Sequence, residues 1–251
     1  MGAITTHSSA ELIGPLGDLE RRYAPAELHV AGDTSLLRSG VRIAIVGSRK
    51  ASALGLERAR ILATSLAQQG AVVVSGLAEG IDTAAHRAAI TAGGRTIAVL
   101  GTPLDRTFPL ANRDLQLAVM REHLAVSQFA VGTPTLPKHF AMRNRTMALL
   151  SDATIVVEAG ESSGARYAAR ESLRLGRAVF VLESLARAGV EWVDDVVRDG
   201  AKTLAREDLV GLVERIQQAR STRVGRCASQ RGSTAASMVV RDLATSPDIT
   251  T

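Results

Sequence analysis

The sequence predicts an α/β fold in which a doubly wound, mostly parallel sheet carries helices on both faces. Three observations support this prediction. Short apolar runs rich in Val and Ile recur along the chain, they are continuous rather than alternating, and segments of helical length separate them. Continuous apolar runs are typical of strands buried on both faces of a parallel sheet. Strands that alternate with helices indicate the doubly wound arrangement.

Six apolar runs are predicted to be strands. They are Arg42–Gly47, Ala71–Gly76, Arg95–Gly101, Leu124–Ser127, Thr154–Ala159 and Ala178–Leu182. The predicted helices between them cover residues 54–69, 81–92, 112–121, 143–151 and 164–175. Gly70 and Gly176 stand where the C-terminal caps of two of these helices belong. Together the elements define a domain over residues 41–214, which is long enough to bury one sizeable core.

The segments on either side of this domain differ from it in composition. Residues 1–40 show little periodicity and are predicted to be an N-terminal extension, while residues 189–219 are expected to add one or two helices. Residues 215–251 form a basic tail with six arginines and two acids, a net charge of +4. This tail is rich in Arg, Ser, Thr and Gly and is predicted to be disordered. The other 214 residues carry 24 basic and 23 acidic side chains, so any nucleic-acid affinity of the core must come from a local patch.

Several classes of protein are disfavoured by composition. No apolar run approaches the roughly 20 residues of a membrane helix, and the N-terminus lacks the pattern of a secretory signal. The single cysteine, Cys227, allows neither an intrachain disulfide nor a thiolate metal cluster, which suits a reducing cytoplasm. The five histidines are scattered without metal-ligand spacing. We therefore expect a cytoplasmic protein with no metal and no membrane association.

Ligands of such a sheet bind where strands end and helices begin, so the strand-to-helix turns are the candidate site. The first turn contains Gly47, Ser48, Arg49 and Lys50. It has one glycine where a dinucleotide fingerprint needs three, so we expect no nucleotide cofactor. Donors on Gly47 and Ser48 beside the charge of Arg49 favour a small anion site, although a tight turn with a surface charge would explain the same residues.

A later turn, Ser162-Ser163-Gly164, precedes a helix that carries Arg166 in its first turn. Free N–H groups at a helix start, together with two hydroxyls, would form a phosphate cradle. Ordinary N-capping by either serine explains the same residues. The two interpretations are compatible.

The segment around residue 140 indicates contact with a single-stranded nucleic acid. The chain has only four Phe, two Tyr and one Trp, so an aromatic ring among basic side chains is informative. A ring can stack on a base, and arginine can grip two phosphate oxygens. A helix start with a solvated charged face is the alternative. The residues concerned are Lys138, Phe140, Arg143, Asn144 and Arg145.

The turn after the second predicted strand contains Gly76, Gly80, Asp82 and His86. Asp82 and His86 are four residues apart and share one helix face, so they could act as a base and its orienting group. No nucleophile is associated with them, and a structural role is favoured. In that role Asp82 begins the helix, His86 packs under the loop, and the glycines shape the turn.

Taken together, these turns resemble the DNA-processing protein A (DprA, or Smf) family over about residues 28–204. The resemblance rests on IAIVGSR at 43–49, VVSGLAEGIDTAAH at 73–86, GGRTIAVLG at 93–101 and FAMRNR at 140–145. It implies a Rossmann-like fold that binds single-stranded DNA without catalysis. It also implies a homodimer that loads a RecA-type recombinase onto incoming strands during natural transformation. By the same resemblance the family's DNA pocket falls on Arg49, Lys138, Phe140, Arg143 and Arg145.

The chain departs from the family pattern at several turns and is expected to be a divergent, core-only member. Ala141 replaces the usual proline, and Glu161 stands where a basic residue commonly precedes the Ser-Gly turn. The rival interpretation is a nucleotide-binding protein or nucleotide-processing enzyme of the phosphoribohydrolase-like Rossmann superfamily. The turn at 160–165 lacks the Gly-Gly pair and the Thr of that superfamily, and Glu171 lies too far along its helix, which favours binding over hydrolysis. A scaffold with a vestigial pocket is the third interpretation.

Overall fold

The computed structural model describes residues 3–221, and within them nine strands form a single sheet. The strand order is β1-β2-β6-β5-β4-β3-β7-β8-β9. β1 pairs antiparallel with β2, β2 pairs antiparallel with β6, and every other pairing is parallel. The strands are β1 (Thr5–Ser8), β2 (Glu27–Gly32), β3 (Arg42–Val46), β4 (Val72–Ser75), β5 (Arg95–Leu100), β6 (Leu124–Ser127), β7 (Ala153–Val156), β8 (Ala178–Leu182) and β9 (Lys202–Leu204).

Helices cover both faces of this sheet, as the sequence predicts. They are α1 (Ser9–Ile13), α2 (Asp18–Tyr23), α3 (Ala53–Gln68), α4 (Ile81–Thr91), α5 (Arg113–Glu122), α6 (Pro137–Leu150), α7 (Ala165–Arg174), α8 (Glu183–Ala186) and α9 (Glu191–Arg198). Residues 212–221 are also helical. One core cluster joins α3 and α4 to the sheet, and another joins α6, α7 and α9 to the opposite face. The α/β class and the doubly wound, mostly parallel sheet are therefore confirmed.

The predicted strands and helices agree with the structure to within a few residues, except at the start of α6. That helix begins at Pro137, six residues before the predicted 143. Proline is well suited to the first helical position, because its φ is fixed near the helical value and it lacks an N–H that would have no partner. The basic segment around residue 140 therefore lies inside the first two and a half turns of a helix.

The first 40 residues contain more structure than their sequence predicts. β2 joins the sheet beside β6, and its Leu28 and Val30 are fully buried in the main core. At the other end of the chain, residues 215–221 are helical and Ile216 is buried, although we predicted the tail to begin at 215. Residues 222–251, the rest of that tail, lie outside the described part of the chain. The division into three segments stays a prediction.

The strand order creates one point at which the direction of winding reverses. From β3 the chain builds outward through β4, β5 and β6, and it then returns to place β7 on the other side of β3. The last residues of these two strands, Val46 and Val156, lie side by side in parallel register. A crevice opens at the carboxyl ends of strands at such a switch point, and ligands of doubly wound sheets bind there.

Candidate functional site

A cavity of about 560 Å³ occupies the crevice at the switch point. Its walls come from the turn after β3, the turn after β7, the first turn of α7, one face of α6, and Ala78 and Asp82 from the turn after β4 and the start of α4. Such a volume is typical of sites for small organic ligands. The structure brings together ten of the predicted contact residues here, namely Gly47, Ser48, Arg49, Lys50, Phe140, Arg143, Asn144, Ser162, Ser163 and Gly164.

Three other predicted contact residues do not line this cavity. Arg145 donates from Nε to Glu171 Oε2 at 2.8 Å, and its guanidinium lies over the ring of Tyr23. Lys138 is exposed in the first turn of α6, and Arg166 lies on α7 next to the cavity-lining Ala165 and Tyr167. Arg145 is thus held by protein partners. The sequence suggested a shared role for Arg145 and Arg143 only because they are two residues apart.

The first N–H groups of the three helices that begin near the cavity already have partners within the protein. Ser52 caps α3, and both its N–H and its hydroxyl donate to the carboxylate of Glu158, at 2.7 and 2.5 Å. The first N–H of α4, on Ile81, donates to the carbonyl of Ser48 at 3.2 Å. The N–H of Ser48 itself donates to the carbonyl of Glu158, so it is not the free anion donor that the sequence suggests. The start of α7 at Gly164 also faces the cavity, and its first N–H, on Ala165, donates to the hydroxyl of Ser163 at 3.3 Å.

The serine turn before α7 is held in place from both sides. Asn144 donates from Nδ2 to the carbonyl of Gly164 at 3.2 Å, and Trp192 donates from Nε1 to the carbonyl of Gly160 at 3.1 Å. Glu161 accepts a hydrogen bond from the backbone N–H of Glu191 at the start of α9. Its carboxylate is therefore engaged at a helix N-terminus, which favours negative charge. A carboxylate at this position would repel a phosphate bound at the serine turn, and its contact with the N-terminus of α9 reduces that repulsion.

Two glycines make room for the side chains of α6. A Cβ on Gly76 would lie 1.4 Å from Nη1 of Arg143, and a Cβ on Gly101 would lie 2.6 Å from Cδ1 of Phe140. The loop after Gly76 includes Leu77 at φ 57°, an uncommon conformation for a non-glycine residue. Asn112 stabilises that loop by donating from Nδ2 to the carbonyl of Leu77 at 2.9 Å. The ends of β4 and β5 are therefore shaped to accept these two side chains.

Arg143 and Asp82 form a buried charged floor beneath the cavity. Arg143 is 5% exposed and donates from Nη1 to the carbonyl of Val99 at 2.9 Å, while its buried Nε has no partner within the described residues. Asp82 accepts from the backbone N–H groups of Gly76 and Ala78. Burial raises the pKa of Asp82, and the positive charge of Arg143 opposes that effect. Burial likewise lowers the pKa of Arg143, against the attraction of Asp82.

His86 packs under the same loop, in the structural role that the sequence favours. Its Nδ1 lies 2.7 Å from the hydroxyl of Thr96, and that hydroxyl donates to the carbonyl of Val73. Because the hydroxyl has one proton, Nδ1 must carry the proton of the imidazole. Burial, with the charge of Arg143, lowers the pKa of His86 to about 3. The neutral ring contacts Thr96, whereas the carboxylate of Asp82 is held by backbone donors.

Aromatic and cationic side chains meet at the outer rim. The guanidinium of Arg49 lies 5.4 Å from the ring centroid of Phe140, and the ring centroid of Phe108 lies 5.3 Å from the same point. Tyr167 of α7 lines the main cavity and is exposed. Sequence reasoning missed both Phe108 and Tyr167. The scarcity of aromatic residues that singled out Phe140 applies equally to these two rings, each of which is near the carboxyl end of a strand.

The fold and this cavity define an α/β protein whose ligand site lies at the switch point of a parallel sheet, with exposed cations and aromatic rings around it. The chain belongs to the family described as DNA recombination-mediator protein A, whose model matches residues 14–218. The predicted resemblance is thereby confirmed.

Similar proteins include the DNA processing protein DprA of Streptococcus pneumoniae, 39% identical over 187 residues. The match covers 74% of this chain and 66% of that protein. Protein Smf of Escherichia coli is 37% identical over 70% of this chain and 48% of its own length. The match thus covers about two thirds of the first of these relatives and about half of the second.

Solved structures of the family agree with the fold. The X-ray structure of S. pneumoniae DprA has a TM-score of 0.70 and 34% identity, covering 83% of this chain and 74% of that one. A structure of Helicobacter pylori DNA processing protein A, described by its single-stranded DNA binding mode, has a TM-score of 0.73 and 25% identity. The match covers 87% of this chain and 97% of that one. The molybdenum cofactor binding protein of Rippkaea orientalis, at 20% identity and a TM-score of 0.53, shares the fold. No helix in residues 3–221 combines the length and apolar character that a membrane span needs.

Proposed function

We propose that this protein binds single-stranded DNA in the cavity at the switch point, as a recombination mediator rather than as an enzyme. The observation that carries the proposal is the exposed pair of cations, Arg49 and Lys50, at the mouth of a nucleotide-sized cavity with aromatic rings beside it. Cations that follow a phosphate backbone and rings that stack on bases are the two components of single-strand binding sites. The single-stranded DNA binding mode described for the H. pylori relative supports the same ligand.

The shape of the site favours an unpaired strand over a duplex. The cavity is concave and bounded by two strand-to-helix turns and the face of α6. A base inside a duplex is stacked and paired, so its face cannot reach a ring on the protein without unstacking. A single strand presents its bases freely. We therefore expect little sequence specificity, because every base has a face that can stack.

The state of His86 supports a non-catalytic role. His86 is buried, and its lowered pKa of about 3 keeps the imidazole neutral, while Asp82 is fixed by two backbone donors. A general base works best with a pKa near the working pH. The proposal also includes three points that rest on the family resemblance. The protein loads a RecA-type recombinase, it acts as a homodimer, and it is located in the cytoplasm.

The test is a titration of the purified protein with fluorescent single-stranded and duplex oligonucleotides over a range of salt concentrations. We expect tighter binding of the single strand at every salt concentration, with affinity falling as salt rises because phosphate contacts release counterions. Equal affinity for the two forms would contradict the proposal.

A pair of variants assigns the binding to this cavity. Arg49→Ala should weaken single-strand binding without changing the melting temperature, since Arg49 is exposed. Arg121→Ala is the matched control. Arg121 is exposed near the end of α5, which leads into β6, and so lies at the opposite edge of the sheet. Competition by free mononucleotides as effective as that by the strand would favour the nucleotide-binding interpretation instead.

A further inference from the structure

The first helix of the parallel sheet begins in contact with a carboxylate of the protein. In doubly wound folds that bind dinucleotides, the pyrophosphate sits at the N-terminus of the helix that follows the first parallel strand. Here that strand is β3, and the helix is α3, which follows the turn at residues 47–52. The carboxylate of Glu158, two residues beyond the end of β7, lies at the start of α3. It therefore takes the place where a dinucleotide-binding fold holds phosphate.

Two hydrogen bonds hold this carboxylate at the helix start. Oε1 of Glu158 accepts from the backbone N–H of Ser52 at 2.7 Å, and Oε2 accepts from the Ser52 hydroxyl at 2.5 Å. A backbone N–H beside a hydroxyl is a donor set that also suits the oxygens of a phosphate. Hydrogen bonds to an ionised acceptor are stronger than those between neutral groups. A phosphate that entered here would have to break both of them.

Gly55, in the first turn of α3, makes room for the carboxylate. A Cβ on Gly55 would lie 2.7 Å from Cδ of Glu158, well inside van der Waals contact. The backbone N–H of Gly55 donates to the Ser52 hydroxyl at 3.0 Å, so that hydroxyl accepts from the helix and donates to Glu158. Ser52 and Gly55 thus form a recess that accepts an anionic group, and Glu158 is the group that fills it.

This recess and the cavity at the switch point lie on opposite faces of the sheet. α3 packs on the face that α4 also covers, whereas α6 and α7 bound the cavity on the other face. Ser52, Gly55 and Glu158 do not line that cavity. Ser52 is exposed and Glu158 is half-buried, so the recess opens to solvent. A small anion could reach it if the carboxylate were absent.

We infer that Glu158 is a specificity-determining residue that closes the start of α3 to the diphosphate of a free nucleotide. Its carboxylate uses the donors at that helix start and adds a negative charge that repels phosphate. A nucleotide therefore cannot use the position that dinucleotide-binding folds offer, while the cavity on the opposite face stays open. The inference goes beyond the proposed function, because it concerns a ligand that the protein excludes and does not require DNA to bind.

The test measures the binding of inorganic pyrophosphate and of ADP to the full-length protein by calorimetry. Glu158→Ala should bind both at least about 10-fold more tightly than the wild type, because neither ligand then has to displace a carboxylate held by two hydrogen bonds. Glu57→Ala is the matched control. It removes an exposed carboxylate from the same helix and leaves Glu158 in place, so it should bind both ligands as the wild type does. Binding at Arg49 or Lys50 contributes to all three proteins, so the differences between them carry the result.

Gly55→Ala in the Glu158→Ala background locates the gain. Its methyl group would fill the recess that the carboxylate leaves. Alanine is a better helix former than glycine, so this double variant is expected to fold. Its affinity for pyrophosphate and ADP should return to that of the wild type. Glu158→Ser, whose short side chain also leaves the recess open, is the second variant if Glu158→Ala does not fold.

Three results would overturn the inference. In the first, Glu158→Ala binds pyrophosphate no more tightly than Glu57→Ala does. In the second, the gain survives in the double variant with Gly55→Ala, so it does not arise at the start of α3. In the third, the gain is confined to pyrophosphate and absent for ADP, so nucleotides are not the excluded ligand. Failure of the wild type to bind single-stranded DNA would contradict the proposed function alone, because none of these comparisons involves DNA.

Discussion

Replacement of Arg143 should destabilise the fold at least as much as it weakens DNA binding. The sequence suggested an exposed phosphate contact, but the structure buries the side chain beneath the cavity with its Nη1 donating to the carbonyl of Val99. Arg143→Met keeps much of the apolar stem and removes the charge. The change would leave the Val99 carbonyl without this donor and Asp82 without the opposing charge that offsets its burial.

The magnitude follows from those two losses. A buried carbonyl left without its donor costs about 1–3 kcal/mol. Removal of one partner of a buried pair of opposite charges costs about 3–5 kcal/mol, because the remaining charge is uncompensated. Asp82 retains two backbone donors, so the lower end of that range applies and the two losses overlap. We expect Arg143→Met to lower the free energy of unfolding by about 3 kcal/mol at neutral pH, a large share of the roughly 5–15 kcal/mol of a typical domain.

Urea unfolding of four proteins measures this effect. They are the wild type, Arg143→Met, Asp82→Asn and the double variant. The double variant should be more stable than Arg143→Met alone, because the uncompensated carboxylate is gone. Burial raises the pKa of Asp82, and the charge of Arg143 opposes that increase. Loss of Arg143 should therefore raise the pKa of Asp82 further. A carboxylate with a raised pKa in the folded state costs more stability as pH increases, so the deficit of Arg143→Met should shrink towards pH 4.

Two results would refute this reasoning. One is that Arg143→Met has the same free energy of unfolding as the wild type. The other is strict additivity of the single variants in the double, which would show that the two charges do not interact. Arg121→Ala, a change at an exposed position, should stay within about 0.5 kcal/mol of the wild type and so calibrates the measurement.

Three further predictions concern the loop, the β5 turn and the tail. The pKa of His86 is about 3 in the folded protein and 6.5 in an unfolded chain, so the unfolded chain binds the proton first and the free energy of unfolding falls as pH drops below 6.5. In urea titrations, His86→Leu should lose about 2 kcal/mol less stability than the wild type between pH 7 and pH 5. An equal loss of stability in both proteins would refute this. Gly101→Ala should lower both melting temperature and single-strand affinity, because its Cβ would displace Phe140; unchanged values would show that the ring moves freely. Removal of residues 222–251, which include four arginines, should reduce the affinity for single-stranded DNA mainly at low salt. If that affinity depends on salt equally with and without these residues, the tail has no role in binding.

The central strands were predictable because burial on both faces demands continuous apolar residues. β3, β4 and β5 each have such a run, and the structure places each of them where the sequence does. β2 was missed because its six residues include His29 and end in Gly32, so its two buried leucine and valine positions look like part of an irregular segment. Its place in the sheet depends on pairing with β6, nearly a hundred residues away. Pairing between distant segments leaves little trace in local periodicity.

The location of the cavity was predictable, but the depth of each side chain around it was not. The turns after β3 and β7 had to meet, because parallel strands that are neighbours in a sheet end at the same edge. Arg49 and Arg143 look alike in the sequence as basic residues next to a turn or a ring. Gly76 and Gly101 decide the depth of α6, since without a Cβ they admit Arg143 and Phe140 to the ends of β4 and β5. Such a contact joins residues far apart in the chain, and local pattern reasoning does not detect it.

The different depths of Arg49 and Arg143 lead to a prediction about salt. A cation that neutralises a phosphate of a single strand releases a counterion, and each such contact contributes about 0.7 to the slope of log affinity against log salt. Arg49 is exposed and can make that contact, so Arg49→Ala should reduce the slope by about 0.7. Arg143 is buried and donates to the carbonyl of Val99, so the double variant Arg143→Met with Asp82→Asn should keep the wild-type slope. Fluorescence titrations at four or more salt concentrations measure both slopes. A reduced slope in the double variant, with the slope of Arg49→Ala unchanged, would mean that the buried arginine contacts the phosphate and the exposed one does not.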